Sequence, residues 1–272
     1  MRADLVRRPA WSAALTAGCT TAGEGCRGAP RRVRRTIDDL EVDMSVNVVI
    51  LAAGMGTRLG RPHPKPLTVL RDGRTILRQQ LDHISGAFAD EARVSIVVGF
   101  KKRRLLEAAA SEASFVFNEE FQRTNTSKSL LRALRMAAPG GVLWLNGDVV
   151  FQPGLLDALV PHMARGSFVA VNTERVADEE VKYLLDESGH ISALSKQVVG
   201  GLGEAVGINY VSAEDREVLV RHLAAAGDQD YFEKGIEDAI ALEGMRVRAV
   251  DISEYGVVEV DFADDLERAN AL

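Results

Sequence analysis

A short glycine-rich segment with two nearby cations is the part of this sequence best suited to chemistry. Residues 48–67 read VVILAAGMGTRLGRPHPKPL. The apolar run 48–51 predicts a strand that is buried on both faces, and the glycines of the following turn would let backbone amides approach phosphate oxygens closely. Arg58 can contact such oxygens through its planar guanidinium, and Lys65 adds a compact positive charge. The segment therefore predicts a triphosphate-binding loop.

The spacing of this segment excludes two other phosphate-binding motifs. Gly54, Gly56 and Gly60 have the spacing GxGxxxG, which is one residue longer than the dinucleotide fingerprint. The first acid downstream, Asp72, lies in a turn-like Arg-Asp-Gly rather than at the end of a strand. A P-loop is absent because Lys65 lies between two prolines and no GxxxxGK[ST] occurs. The remaining alternative is an ordinary turn with a surface lysine and arginine.

Asp148 follows the fourth predicted strand, the near-continuously apolar run 141–146, and is a candidate metal ligand. In an open α/β sheet, polar groups just beyond the carboxyl end of a strand face the ligand crevice. Mg²⁺ prefers oxygen ligands and is commonly shared between one or two carboxylates and substrate phosphates. The alternative is a turn aspartate that bonds its own backbone, a role that Gly147 would favour.

Strand-like and helix-like segments alternate along the chain, which is typical of an α/β fold with a mainly parallel sheet flanked by helices. Residues 179–185 and 191–196 flank an acidic, glycine-containing turn and predict a small β-hairpin. The predicted helices are 75–88, 101–110 and 128–136, and further strands are expected at 94–98, 114–117 and 203–210. We expect one domain over 45–272, whereas 1–44 differs in composition and is expected to be a disordered extension or the product of an upstream start codon.

Composition bounds the function further. The chain has 272 residues, of which 46% are hydrophobic, enough for a sizeable core. The net charge of −6 argues against a general nucleic-acid-binding protein, and no apolar run approaches the roughly 18 to 20 residues that span a bilayer. Both cysteines, Cys19 and Cys26, lie in the first segment, which predicts a reduced, cytoplasmic domain. The sequence leaves homo-oligomer formation open.

The glycine-rich segment resembles the signature LAAGxGxRL followed by PKxL of the nucleotidyltransferases with a GT-A-like, Rossmann-like fold. The short gap between Arg58 and Lys65 is similar to that of the cytidylyltransferases that act on phosphocholine, inositol phosphate or phosphonates. The resemblance implies Mg²⁺-dependent transfer of a nucleotidyl group, with CTP favoured, to a small phosphorylated or phosphonylated acceptor with release of pyrophosphate. The alternatives are a sugar-1-phosphate uridylyl- or thymidylyltransferase and a non-catalytic nucleotide-binding homologue.

The resemblance also implies roles for individual residues. Asp148 and Asp261 would hold Mg²⁺, the latter because 259–266 matches the family pattern of a strand, E-[IV]-D and xxxDL; Glu259 would support them. Arg58 and Lys65 would act on the triphosphate. The residues expected to contact the nucleotide are Leu51, Ala52, Ala53, Gly54, Gly56, Thr57, Asn118, Asn125 and Ser127.

Two of these implied roles have structural alternatives. Lys182 and Lys196, on opposite strands of the hairpin, would face the acceptor and the transferred phosphate, but two solvated strand lysines would fit the pattern as well. Thr126 or Ser127 could cap the helix 128–136 instead of contacting a ligand, and these two roles are compatible.

Overall fold

The structure is a computed structural model that describes residues 45–56, 62–109, 111–174, 176 and 180–272. The predictions for residues 1–44, for Thr57 and for Arg58 lie outside the described residues.

Strands and helices alternate as the sequence predicts. The strands are β1 (Val46–Ala52), β2 (Ala92–Val98), β3 (Ser114–Phe117), β4 (Val142–Asn146), β5 (Val149–Phe151), β6 (Phe168–Asn172), β7 (Lys182–Leu185), β8 (Ile191–Ser195), β9 (Glu204–Val211), β10 (Arg248–Asp251) and β11 (Val257–Glu259). The α-helices are α1 (Ile76–Phe88), α2 (Lys102–Ala109), α3 (Thr126–Met136), α4 (Leu155–Met163), α5 (Arg216–Ala225), α6 (Phe232–Glu243) and α7 (Ala263–Ala269). A short 3-10 helix, Lys65–Leu67, follows the glycine-rich segment.

A nine-stranded sheet forms the centre of the described part of the chain. Seven of its strands lie in the order β10-β6-β9-β4-β1-β2-β3, and β7 and β8 form a hairpin attached to β9. Strand β1 pairs in parallel with β2 and β4, whereas β9 runs antiparallel between β4 and β6. The prediction of a mainly parallel α/β sheet is confirmed, as is the small hairpin.

Alternate residues of β1 face two separate hydrophobic clusters. Val48 and Ile50 pack with residues of α1, α2 and α4 on one face of the sheet. Val49 and Leu51 pack with residues of α3, α5 and α6 on the other face. This alternation follows from the two-residue period of a strand, and it fixes the carboxyl end of β1 rigidly between two helical layers.

A second, two-stranded sheet brings distant parts of the sequence together. Strands β5 and β11 pair antiparallel, with Val150 opposite Val258. Next to this pair, the amide of Val260 donates a hydrogen bond of 2.9 Å to the carbonyl of Asp148. The chain segments that carry Asp148 and Asp261 are thereby held side by side, although 113 positions separate them in sequence.

Helix α3 begins two residues before the predicted start. Asn125 is its N-cap, and the Asn125 side-chain oxygen accepts a hydrogen bond of 2.9 Å from the amide of Thr126. The capping role considered for Thr126 or Ser127 is therefore wrong, since both residues lie inside the first turn. Within the described residues, none of the helices has the length and apolar character that crossing a membrane requires.

Candidate active site

A cavity of about 420 Å³ opens at the carboxyl ends of β1 and β4. Leu51, Ala52, Gly54 and Gly56 line it from the end of β1 and the turn that follows. The residues after β4, the 3-10 helix, the loop before α3, the hairpin, the start of α6 and the end of β11 also contribute to the wall. Its volume is typical of a small-molecule site, and its position is where open α/β sheets bind ligands.

Lys65 lies between the two predicted metal ligands. Its Nζ atom is 3.1 Å from Asp148 Oδ2 and also forms an ion pair with Asp261 Oδ1. All three side chains are at most one quarter exposed, and all three line the cavity. The structure thus brings together three residues that the sequence singled out, and the two carboxylates converge on one cation.

The ammonium group of Lys65 is stabilised in its charged form. Burial alone would lower its pKa, but the negative charges of Asp148 and Asp261 outweigh this effect and raise the pKa above its ordinary value. Lys65 therefore carries a full positive charge at neutral pH, in a position where an anionic ligand would meet it.

The two aspartates fit a shared divalent cation. Both offer carboxylate oxygens, and both reach the same cation, which here is the Lys65 ammonium. Among the described residues, no group of three His, Cys, Asp or Glu side chains is placed to hold a metal ion by itself. A protein that supplies two carboxylates and leaves other positions to phosphate oxygens and water matches the usual coordination of Mg²⁺.

A third carboxyl group, Glu259, lines the cavity beside the aspartates. Asn146 donates a hydrogen bond of 3.3 Å to Glu259 Oε1. Burial, reinforced by the charge of Asp148, raises the pKa of Glu259 well above its ordinary value. Glu259 therefore takes up a proton more readily than an exposed glutamate does, and its place in the cavity is compatible with the supporting role that the sequence suggested.

The turn that carries Asp148 is held by a residue that sequence reasoning missed. Gln80, on α1, is fully buried and donates hydrogen bonds of 2.9 Å to the carbonyl of Asn146 and 2.8 Å to that of Val149. These carbonyls flank Gly147 and Asp148, so the Gln80 side chain on α1 fixes the conformation of this turn. A glutamine among apolar helix residues was the only available signal.

Replacing Gln80 with leucine should destabilise the protein by about 1–3 kcal/mol, because two buried carbonyls would lose their donor. Gln79→Leu is the matched control: Gln79 is also nearly buried, but the two hydrogen bonds to the carbonyls of Asn146 and Val149 come from Gln80. Urea denaturation of both variants measures the difference. Equal losses of stability in the two variants would contradict the assigned role of Gln80.

The glycine-rich turn leaves space for a ligand and for Lys65. A Cβ atom on Gly54 would meet no atom within 4 Å, so this part of the backbone faces open space. Gly56 has a φ of +59°, and a Cβ atom there would lie 2.6 Å from Lys65 Cγ. Only glycine satisfies both conditions at position 56. The loop thus permits close approach of phosphate to backbone and also determines where Lys65 lies.

The three residues after β3 that were predicted to contact the nucleotide have different positions in the structure. Asn118 is almost fully buried and donates to Thr124 Oγ1 at 3.1 Å and to Ser129 Oγ at 3.0 Å, so it organises the loop. It lines, together with Ala53, a side pocket of about 60 Å³. Asn125 lines the main cavity. Ser127 is fully buried and lines neither space, so the structure does not place its side chain for a ligand contact.

Of the two hairpin lysines, only Lys196 lines the cavity. Lys196 follows β8 and lines the cavity, with its Nζ atom 5.4 Å from the ring centre of Tyr231. Lys182 lies in β7 opposite Ser195 and Glu204, its stem packs closely on Gly201, and it does not line this cavity. The structure therefore does not bring Lys182 to the site where the resemblance placed it.

The lining of the cavity also includes residues that sequence reasoning did not assign, among them Glu180, Tyr231 and Glu233. Glu180 precedes β7, Tyr231 is the N-cap of α6, and Glu233 lies in the first turn of that helix. Acids are common in the first turn of a helix because the positive end of the helix dipole stabilises them. The glutamate at position 233 therefore gave no sequence signal of a functional role.

Comparison with known proteins places the chain in a family. Residues 48–232 match the model of the MobA-like NTP transferase domain, which covers more than half of the chain. The chain belongs to this family. The predicted resemblance to nucleotidyltransferases is confirmed, and the residues that line the cavity lie in the matched segment apart from Glu233, Glu259 and Asp261.

Two similar proteins are phosphonate enzymes by name. The CMP-5'-(3-aminopropyl)phosphonate synthase of Streptomyces rubellomurinus is 31% identical over 251 residues, 83% of this chain but only 38% of that protein. The 2-aminoethylphosphonate cytidylyltransferase of Lancefieldella rimae is 25% identical over 232 residues, which cover 81% of this chain and 90% of that protein. The chain thus spans well under half of the Streptomyces relative and nearly all of the Lancefieldella one.

The fold has a close counterpart among solved structures. The CTP:phosphocholine cytidylyltransferase of Streptococcus pneumoniae superposes with a TM-score of 0.67 at 18% identity, covering 84% of this chain and 98% of that one. At this level of identity the similarity establishes the fold, and it confirms the predicted Rossmann-like α/β architecture.

Proposed function

We propose that this protein transfers the CMP group of CTP to an oxygen of a small phosphonate or phosphate acceptor and releases pyrophosphate. The observation that carries the proposal is the position of Lys65 between Asp148 and Asp261, beside the glycine-rich turn and in one cavity. This arrangement offers a cation for phosphate oxygens, two carboxylates for a metal, and a backbone that a triphosphate can approach closely.

The choice of CTP and of a phosphonate acceptor is supported by the relatives. The Lancefieldella relative is named a cytidylyltransferase, and the name of the Streptomyces relative describes a CMP-phosphonate product. The short loop before Lys65 also resembles that of such enzymes. The Mg²⁺ requirement is proposed from the two aspartates.

The reaction needs positioning and charge neutralisation more than a strong base. An acceptor oxygen forms a bond to the α-phosphorus of CTP as the bond from that phosphorus to the bridging β-phosphate oxygen breaks, and pyrophosphate leaves with the electron pair. Mg²⁺, when bound, would neutralise triphosphate charge and make the α-phosphorus more electrophilic. Asp148 and Asp261 would hold it, and Lys65 would stabilise negative charge that grows on the leaving group.

Lys196 is expected to bind the acceptor's anionic group. Lys196→Ala should raise the KM for the acceptor by about tenfold while changing the KM for CTP little, because one charge-assisted contact is lost. Lys182→Ala is the matched control, and its effect should be several-fold smaller because Lys182 does not line the cavity. Steady-state kinetics with each substrate varied in turn measures both constants. A larger acceptor effect for Lys182→Ala would reverse this assignment.

Pyrophosphate release tests the proposal as a whole. The purified protein is assayed with each of the four common NTPs against phosphocholine, several aminoalkylphosphonates, inositol phosphate and glucose-1-phosphate, with and without Mg²⁺. We expect release with CTP and a phosphonate or phosphate ester, and only with the metal. Turnover of glucose-1-phosphate with UTP or dTTP, and none with CTP, would support the sugar-1-phosphate alternative instead.

A further inference from the structure

A short segment after β2 is hydrogen-bonded both to the glycine-rich turn and to the chain that leads into Lys65. The amide of Phe100 donates a hydrogen bond of 3.1 Å to the carbonyl of Ala53, where the turn begins. The next residue, Lys101, donates from its Nζ atom to the carbonyl of Pro62 at 2.5 Å, three residues before Lys65. Two consecutive residues thus hold two separate parts of the predicted triphosphate-binding loop.

Gly99 lets this segment approach the turn closely. A Cβ atom on Gly99 would lie 2.8 Å from the carbonyl oxygen of Ala53 and 2.6 Å from Phe121 Cβ, so no larger residue fits there. Phe121 lines the cavity, and Gly99 packs directly against it. Lys101 itself does not line the cavity, so its side chain can act on the site only through the residues that it bonds.

The backbone of Lys101 has a conformation that is costly for a lysine. Its φ is +45°, and among the described residues only Ala89 and Lys101 combine a positive φ with a residue type other than glycine. Glycine would adopt this conformation freely. A costly backbone conformation indicates that the side chain has a role, and here the side chain is the donor to the carbonyl of Pro62.

The chain from Pro62 to Lys65 is stiff, so an anchor at one end restricts the other. Residues 62–66 read PHPKP, with a proline at every second position. Each proline ring fixes φ near about −65° and removes one freely rotating bond from the backbone. Pro64 has a φ of −53°, and Lys65 begins the 3-10 helix directly after it. The hydrogen bond from Lys101 therefore limits where the backbone of Lys65 lies.

We propose that Lys101 is a positioning residue, whose hydrogen bond to Pro62 holds Lys65 and the glycine-rich turn ready for the phosphates of the nucleotide before the nucleotide binds. The inference rests on the proposed function, since it concerns the triphosphate of that reaction. Preorganisation lowers the cost of binding. Lys101 should therefore affect the affinity for the triphosphate and leave the rate of the bound complex nearly unchanged.

Steady-state kinetics of Lys101→Gly test this division. The variant loses the donor to Pro62, but its backbone adopts a positive φ more easily, so its Tm should stay close to that of wild type. The KM for CTP should rise about fivefold, the effect of one hydrogen bond of ordinary strength, and kcat should change by less than about twofold. Lys101→Arg retains a donor and should restore most of the affinity.

Lys102→Ala is the matched control. Lys102 follows Lys101 in the chain, but it pairs with Glu119 on the surface, so its loss should leave the KM for CTP unchanged. A fall in kcat with an unchanged KM in Lys101→Gly, or an equal rise of KM in Lys102→Ala, would contradict the positioning role of Lys101.

Calorimetric titration with Mg²⁺ present separates the inference from the proposed function. Inorganic tripolyphosphate has the phosphate chain without a base, whereas CMP has the base without the β- and γ-phosphates. Lys101→Gly should bind tripolyphosphate about fivefold more weakly than wild type and CMP equally well. This result would support the role of Lys101 even if wild type showed no cytidylyl transfer. Equal affinities of both proteins for tripolyphosphate would overturn it and leave cytidylyl transfer intact, and wild type that bound neither tripolyphosphate nor CTP would contradict both.

Salt distinguishes positioning from a direct attraction between Lys101 and the phosphates. The carbonyl of Pro62 is uncharged, so the difference in tripolyphosphate affinity should persist at about 0.5 M NaCl, where charges are screened within roughly 4 Å. A difference that disappears at this salt concentration would show that the lysine attracts the phosphates directly, and would contradict the proposal.

Discussion

Replacing Asp148 with asparagine is expected to lower kcat at least about a hundredfold while the protein remains folded, because the change removes a charge that would hold the metal. Asp261→Asn should act in the same way, since both carboxylates converge on one cation. Steady-state kinetics at saturating Mg²⁺ and circular dichroism measure activity and folding separately.

Asp264→Asn is the matched control for these two variants. Asp264 lies three residues after Asp261, in the first turn of α7, but its side chain is exposed and does not line the cavity. It should retain nearly full activity. Rates close to wild type in Asp148→Asn or Asp261→Asn at saturating Mg²⁺ would contradict the metal assignment.

Lys65→Ala is expected to raise the KM for CTP and to lower kcat by about a hundredfold, because the lysine offsets charge on the leaving pyrophosphate. A second effect follows from the ion pairs. Without the ammonium, Asp148 and Asp261 repel each other, so the Tm without metal should fall by several degrees. Added Mg²⁺ should then raise the Tm more in the variant than in wild type, since lysine no longer competes for the carboxylates.

Lys102→Ala serves as the control, because Lys102 is largely exposed and pairs with Glu119 on the surface. It should change neither the kinetics nor the response of the Tm to Mg²⁺. If Mg²⁺ shifts the Tm of Lys65→Ala and of wild type equally, then Lys65 and the metal do not share a site.

The sequence predicted the parts of the site that lie on regular elements. The apolar run 48–51 and the glycines after it indicated β1 and its turn, and the acid after the fourth predicted strand, 141–146, indicated Asp148. The structure places these residues at one cavity because the carboxyl ends of parallel strands meet at one edge of a sheet. Asp261 was found only through the family resemblance, since it reaches this edge by the pairing of β11 with β5, a long-range contact that no local pattern reports.

Residues whose role depends on tertiary contacts were missed or misplaced. Gln80 acts on a turn 66 positions away, and its place among apolar residues of α1 indicates burial but not the partner. Ser127 looked like a ligand contact or a cap, yet the cap is Asn125, which moves Ser127 into the buried face of α3. Lys182 and Lys196 looked equivalent on paired strands, but the register of the hairpin and its packing on Gly201 bring only Lys196 to the cavity.

The product of the reaction provides the most direct test of the account. Wild-type protein is incubated with CTP, Mg²⁺ and 2-aminoethylphosphonate, and the mixture is followed by phosphorus NMR. The account predicts free pyrophosphate and a new pair of mutually coupled resonances, one from the phosphonate and one from the α-phosphorus, which report the new phosphorus–oxygen–phosphorus linkage. Resonances of CTP and of the phosphonate that stay unchanged, while UTP and glucose-1-phosphate yield a coupled product, would contradict it.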